Sequence, residues 1–316
     1  MKAFVIGGNG FIGSHLVDAL LTSGWSVTVL DVNRRQFDPI PSGVRFIRGD
    51  ISQYFLAREY AIGADIVFHL AWPGTPETSI RNPIADIESG LIPSVRLLES
   101  CRIEGIKRMV FLSSGGTVYG ISEKLPIAVD HPKNPVTSYG ITKLAVEGYL
   151  GMYSHLHGLD YAVLRPSVPF GPRQNPLGYQ GAPTVFLYRV AYGLPITIWG
   201  DGEITRDYFY VEDLVRAMIA AATYPLGAQR VFNVGGKEAI SLNRLLQEVE
   251  SVVGRSAKVH YTEPRPFDAP HIKLDTRLTE KYLRWKPQYS LTEGLVKTWE
   301  WIKEVVPKPD TNSTRS

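Results

Sequence analysis

Ala3-Phe4-Val5-Ile6-Gly7-Gly8-Asn9-Gly10-Phe11-Ile12-Gly13 is the stretch that decides the fold. A short apolar run enters three glycines spaced three apart, and the helical pattern Phe11 to Leu21 follows directly. Strand, glycine turn and helix in that order open a βαβ unit, and the context lifts the glycines above a plain tight turn. Gly7 allows the turn, Gly10 lets a pyrophosphate approach the backbone, and Gly13 lets the helix pack close to the sheet. The unpaired amides at the helix N-terminus add a partial positive charge, so the loop reads as a dinucleotide cradle.

Outward from it, apolar runs of strand length at 3–7, 26–31, 44–48, 65–70, 107–113 and 160–165 alternate with longer segments of helical period. Runs apolar throughout, such as Ile66 to Leu70 and Met109 to Leu112, suit a parallel sheet covered on both faces. The expectation is an α/β fold with a doubly wound parallel sheet over residues 1–165. After Arg165 the texture changes: PSVPFGPRQNPLGYQGAP, at 166–183, is too rich in proline and glycine for a regular element. It predicts a hinge into a smaller mixed α/β domain over 166–316, with a return to the first domain near 208–235. Helices are expected at 212–222, 241–253, 276–284 and 290–305, a strand at 230–234, and a polar, frayed tail at 307–316.

Composition narrows the classes. The 316 residues are 44% hydrophobic and 21% charged, ordinary for a globular chain. A net charge of +3, spread without a basic run, gives no reason to invoke nucleic acid. No apolar stretch is as long as a membrane span and no charged leader precedes the first strand, so a cytoplasmic protein is expected. Cys101 is the single cysteine, which excludes an intrachain disulfide and a thiolate metal cluster; no metal site is expected.

Asp31, closing the second strand pattern, is placed to accept hydrogen bonds from an adenosine ribose and to repel a 2′-phosphate, which favours NAD over NADP. Arg34 and Arg35 beside it are able to hold such a phosphate and leave that choice open. Asp50 is either a contact to the adenine amine or a solvated loop acid. In SYGITKLAVEGYL, Tyr139 and Lys143 stand one helical turn apart and share a face. Two close positive charges, the ammonium and an oxidised nicotinamide, would supply the roughly 4 kcal/mol that brings a phenol from about 10 to about 7, where it is a base. Tyr282 and Lys286 repeat the spacing far from the glycine loop and are read as chance.

Assembled, these motifs resemble the extended short-chain dehydrogenase/reductases, in particular the nucleotide-sugar epimerases and dehydratases. GGNGFIG, Asp31, FHLA at 68–71, SSGGTVYG at 113–120, Tyr139 with Lys143, LRPSVPFGPRQ at 164–174, IWGDGEITRDYFYVEDL at 198–214 and WKP at 285–287 carry the likeness over nearly the whole chain. It implies a Rossmann-type sheet and a bound NAD, held by Gly7, Gly10, Phe11, Ile12, Gly13, Asp31, Asp50, Ile51, Leu70 and Ala71 together with Tyr139 and Lys143. It implies that Tyr139 is the base, that Lys143 bridges the nicotinamide ribose, and that Arg206 and Arg265 grip a nucleotide diphosphate. The helical patterns 84–104 and 139–157 resemble those that pair between subunits, which implies a homodimer.

The chain departs from the pattern in three places. Gly116 and Thr117 stand where related dehydratases and decarboxylases carry acids, which favours 4-epimerisation of a UDP-sugar over elimination, decarboxylation or 4-reduction. Gly115 stands where relatives carry the hydroxyl that meets the reacting sugar oxygen, so that role passes to Ser114 or Thr117. Val168 replaces a common asparagine at the substrate, and Ile272 takes the position beside the C2 substituent. Trp72 either packs in the core or lines the cofactor cleft. These departures mildly encourage one other reading, a non-catalytic NAD-binding sensor or scaffold; the intact Tyr139 and Lys143 oppose it.

Overall fold

The computed structural model describes residues 1–309 except 123, 179 and 266–267; of the expected polar tail, 310–316 lie outside the described residues. Strands β1 (Lys2–Ile6), β2 (Ser26–Asp31), β3 (Val44–Arg48), β4 (Ile66–His69), β5 (Arg108–Leu112) and β6 (Asp160–Pro166) fall where apolar runs were expected. Short strands β7 (Val168–Phe170), β8 (Pro195–Trp199), β9 (Thr205–Arg206), β10 (Tyr208–Tyr210), β11 (Val231–Val234), β12 (Ile240–Ser241) and β13 (Lys258–Thr262) follow. The main sheet runs β11-β6-β5-β4-β1-β2-β3, parallel at every pairing. Its order reverses at β1, which lies between β2 and β4, and the crevice at the carboxyl ends of such neighbours is where ligands bind in this class of sheet.

Helices α1 (Phe11–Thr22), α2 (Tyr54–Ala61), α3 (Pro76–Arg81) and α4 (Pro83–Asp86) lead into a π-helical turn (Ile87–Leu91) and α5 (Ile92–Ile103). Then come α6 (Ser138–His157), α7 (Ala182–Ala191), α8 (Val211–Thr223), α9 (Leu242–Val253), α10 (Arg277–Leu283) and α11 (Leu291–Val305). None of the described helices is long and apolar enough to cross a membrane.

Alternation explains why β1 is apolar throughout. Ala3 and Val5 enter the core that α1 and α8 build with Leu16, Leu20 and Met218, while Phe4 and Ile6 enter the opposite core with Leu97, Leu98 and Val146 from α5 and α6. Successive strand residues point to opposite faces, so a strand covered twice needs no polar side. Strand β5 repeats this, with Val110 and Leu112 on one side and Met109 and Phe111 on the other. Cys101 is buried in the second core, and burial pushes its thiol up to about 12, so it is an inert packing group. A third core, with Leu187, Leu245, Val249 and Ile302, lies among α7, α9 and α11.

Candidate active site

The glycine loop fits a dinucleotide diphosphate by its packing. A Cβ at Gly7, whose φ is +83°, would stand 2.7 Å from the Ala71 nitrogen, and one at Gly13 only 2.0 Å from the Gly7 carbonyl oxygen. At Gly10 the nearest atom would be 3.5 Å away, so its outer side is open. Gly10 caps α1 without a side-chain hydrogen bond to the first turn, which leaves the amides of Phe11, Ile12 and Gly13 without side-chain caps. Leu70 and Ala71 extend β4 across the crevice, both amides donating to the Ile6 carbonyl at 3.0 Å. Ile51 is buried at the edge of the second core.

Asp31 ends β2 and braces the loop: one oxygen accepts from the Asn9 amide at 2.9 Å, the other from Asn33 at 3.0 Å. Each oxygen keeps a second lone pair for a ribose hydroxyl. Arg35 does not face that ribose. Its guanidinium turns back onto α1, 2.7 Å from Asp18 and with a 3.1 Å bond to the Ser14 carbonyl, so it is withdrawn from a 2′-phosphate; Arg34 is exposed. Asp50 is an exposed loop acid whose Oδ1 accepts from the Ser52 amide at 2.7 Å.

Helix α6 starts at Thr137, whose hydroxyl accepts from the Gly140 amide, and carries Tyr139 and Lys143 over the carboxyl end of β5. Lys143 is 2% exposed and its Nζ donates to the Leu112 carbonyl at 2.8 Å. The ammonium lies 5.6 Å from the Tyr139 ring centre and 4.0 Å from that of Trp72. Burial pulls its pKa down to about 7, against the carboxylates of Asp86 and Glu147. The Tyr139 phenol is held well above its ordinary value by burial and by Asp86. Desolvation is the largest influence on the phenol, so lowering it asks for both positive charges, the ammonium and an oxidised nicotinamide. The second Tyr-Lys spacing dissolves: α10 ends at Leu283, Arg284 takes a φ of +49°, and Lys286 turns 3.8 Å from Glu280.

The hydroxyl missing at position 115 has a steric reason. Gly115 donates its amide to the Pro166 carbonyl at 2.8 Å, and a Cβ on it would lie 2.4 Å from Leu274 Cδ1 and 2.9 Å from the Arg165 carbonyl. The chain then turns through 115–117 instead of bulging. Ser114 is half-buried, its carbonyl bonded to the Val118 amide at 3.3 Å. Thr117 Oγ1 is buried without any hydrogen-bond partner among the described residues, a group that lacks only a ligand to satisfy it. The Thr117 carbonyl packs so closely on Gly140, next to Tyr139, that a Cβ there would meet it at 2.7 Å.

At the far end of the cleft, Arg206 ends β9 and donates to the Thr205 carbonyl at 2.8 Å. Burial holds its guanidinium below the ordinary value, with Tyr208 and Asp268 opposing and the like charge of Arg265 adding to the effect. Arg265 pairs with Asp268 at 2.8 Å and lies 4.4 Å over the ring of Trp199. The structure thus brings both expected arginines together, and adds Trp199, a half-exposed indole that sequence reasoning passed over inside IWGDGEITRDY. Val168 sits half-buried on β7 opposite Tyr208, and Ile272 is 4% exposed, its Cδ1 3.7 Å from where a Gly116 Cβ would be.

Behind the site runs a buried polar network that was not foreseen. Glu147, one turn beyond Lys143, pairs with Arg165 at 2.5 Å and accepts from Ser113 Oγ. Arg165 also donates to the Tyr119 hydroxyl at 2.8 Å, which donates onward to Asn233 Oδ1 at 2.6 Å. These residues span α6, β6, the 113–120 turn and β11, so they fix the strand ends that carry the site. Only their place inside the motif stretches could have flagged them.

Residues 3–235 match the NAD dependent epimerase/dehydratase family. The UDP-glucose 4-epimerase of Mycolicibacterium smegmatis is 35% identical over 96% of this chain and 99% of its own. Two solved UDP-glucose 4-epimerases share the fold. That of Thermotoga maritima, with UDP-glucose, has a TM-score of 0.92 at 34% identity, covering 96% of this chain and 99% of that one. That of Thermus thermophilus, with NAD, has a TM-score of 0.89 at 32% identity, covering 96% and 99%. With the glycine cradle, the parallel sheet and the Tyr139 and Lys143 face already in place, the chain belongs to the NAD dependent epimerase/dehydratase family.

Proposed function

We propose that this chain is an NAD-dependent 4-epimerase of a nucleotide-sugar, most naturally a UDP-sugar. The observation that carries it is the pairing of Tyr139 with Lys143 on one face of α6 beside the glycine-lined cradle, with Thr117, whose buried hydroxyl has no partner among the described residues, packed by its carbonyl against Gly140. The loop amides of Gly10 to Gly13 face the diphosphate, Asp31 takes the adenosine ribose, and Ile51, Leu70 and Ala71 wall the crevice. NAD, when bound, supplies the hydride acceptor at C4 and a positive ring beside Tyr139. Tyr139 would take the 4-hydroxyl proton and give it back to the same oxygen when C4 is reduced again on its other face. Lys143, whose Nζ donates to the Leu112 carbonyl at 2.8 Å, would hold the nicotinamide ribose and keep charge beside the phenol. At the other end Trp199 offers a stacking face for the base, and Arg206 with Arg265 the charge for the diphosphate.

No carboxylate is placed at Gly116 or Thr117 to protonate a leaving hydroxyl, which favours out-and-back hydride transfer over dehydration. The test is incubation with UDP-glucose, UDP-N-acetylglucosamine and UDP-glucuronate followed by separation of C4 epimers. Interconversion of at least one without added cofactor is expected; failure of all three refutes the reading. In the same assay Thr117→Val is expected to lower kcat about tenfold to a hundredfold, the loss of one charge-assisted hydrogen bond, and Ser114→Ala less than threefold. The reverse ranking would hand the role to Ser114.

Two further parts of the reading concern assembly and place. The outward faces of α5 and α6 expose Ile92, Ile103, Ile141, Met152 and Leu156, beside a groove of about 420 Å³ lined by Ile80, Ile87 and Val136. We assign that face to a second copy of the chain, since two such faces pack as a four-helix bundle. Sedimentation at the mass of one 35.2 kDa chain would remove that assignment. Its place of work is the cytoplasm, where NAD and nucleotide-sugars coexist; fractionation of the source cells checks this.

A further inference from the structure

Lys143 carries more than its neighbours on α6 explain. Its Nζ stands 4.0 Å from the centre of the Trp72 ring and 4.8 Å from that of Phe111, so the ammonium rests on an aromatic face. The indole is tethered: Trp72 Nε1 donates to Asp86 Oδ1 at 3.2 Å. Asp86, 5% exposed, accepts through its other oxygen from Ser138 at 2.9 Å and Thr142 at 2.8 Å, the residues that precede Tyr139 and Lys143. Space for the indole comes from the π-helical turn Ile87–Leu91, where Gly90 lies flat against the ring; a Cβ there would sit 2.5 Å from Trp72 Cζ2. Such turns inside helices frequently mark functional places.

We propose that Trp72, clamped by Asp86 and admitted by Gly90, is the positioning residue that holds the Lys143 side chain protonated and in register beneath Tyr139. This rests on the epimerase reading. An ammonium taken out of water needs replacement for its hydration, and a π face together with one carbonyl and two carboxylates supplies it. The ionisable groups that face Lys143 are Tyr139 and Glu147 on α6, Asp86 on α4 and His69 on β4. His69 is kept neutral, lowered to about 3 by burial and by Lys143, with its Nε2 2.7 Å from Ser94. It therefore adds no charge, and the indole face is the remaining support. Removing that face favours the free amine, so the lysine loses its proton at lower pH.

The experiment measures kcat against pH for the NAD-loaded enzyme and for Trp72→Leu, and follows Lys143 ionisation directly by NMR of lysine-labelled protein without substrate. In Trp72→Leu the alkaline limb should move down by about half to one and a half pH units, with KM little changed. Consequently the loss of kcat at pH 9 should exceed that at about pH 5.5 severalfold. Trp72→Phe, which keeps a weaker face but no N–H for Asp86, should fall between, and it carries the test should the leucine variant not fold. An unshifted limb and an unshifted lysine titration, with kcat merely scaled at every pH, overturn the proposal. The NMR titration stands apart from turnover, so an enzyme inactive on all sugars sinks the epimerase reading, while an unmoved titration sinks only the role of Trp72.

Discussion

Tyr139→Phe is expected to lower kcat for epimerisation by about a thousandfold while the protein stays folded and NAD stays bound. The substitution deletes one oxygen. The contacts that seat the start of α6 do not use it: the Tyr139 amide donates to Ser79 Oγ at 3.0 Å, and Ser138 and Thr142 bond to Asp86. The ring keeps its edge contact with Trp72, centres 5.9 Å apart. What disappears is the group proposed to exchange a proton with the C4 hydroxyl, and a positioned base contributes on the order of 10² to 10⁴. In this chain burial and Asp86 hold the phenol up, and the positive ring of a bound oxidised nicotinamide would supply the charge that lowers it. Turnover should therefore fall away on the acid side in the wild type. The measurements are single-turnover kinetics and the NAD released on acid denaturation. A variant with more than a tenth of wild-type kcat would falsify Tyr139 as the base; one that has lost its NAD would show a structural role instead.

The second large effect is expected at the glycine loop, where two alanines should behave differently. In Gly13→Ala the new methyl would lie 2.0 Å from the Gly7 carbonyl oxygen and 2.7 Å from Gly8 Cα, backbone atoms that cannot swing aside. The start of α1 must move off the loop, at a cost of about 1–3 kcal/mol in stability and with nearly all NAD lost. In Gly10→Ala the nearest atom is the Gly7 oxygen at 3.5 Å, an ordinary contact, so the melting temperature should stay within a degree or two. If the diphosphate approaches Gly10 as proposed, that methyl would stand in its way, and NAD content should drop at least tenfold. Thermal melts paired with NAD assays separate the two. Gly10→Ala protein carrying a full complement of NAD would show that the diphosphate does not approach there.

How much was legible before the structure follows from the range of the forces involved. Strands β1, β4 and β5 could be read because they are covered on both faces and therefore apolar through their interiors, as Phe4 and Val5 show by burying in opposite cores. Helix α6 was readable from its period, and it stops where Gly158 takes the left-handed conformation with φ +71°. The pair β7 with β10 was not foreseen, since three residues in a strand carry no periodicity, and the five-residue pair β8 with β13 was passed over as well. Arg35 reads from sequence as a partner for a phosphate; only folding shows Asp18 waiting for it on α1.

The site divides in the same way. Residue types at fixed local spacing, Gly7 to Gly13, Asp31 closing its strand and Tyr139 with Lys143 on one helical face, were determined by the sequence, because helix and strand geometry alone place them. Tertiary structure decided everything that depends on which strangers meet. It pressed Gly115 against the Arg165 carbonyl and left Thr117 as the unsatisfied hydroxyl; it set Trp199 under Arg265 and slid Trp72 beneath Lys143 through the gap at Gly90. It also set how far the phenol has to be lowered, since a side chain's spacing from a cation is local, whereas its desolvation is the sum of all that the fold packs around it.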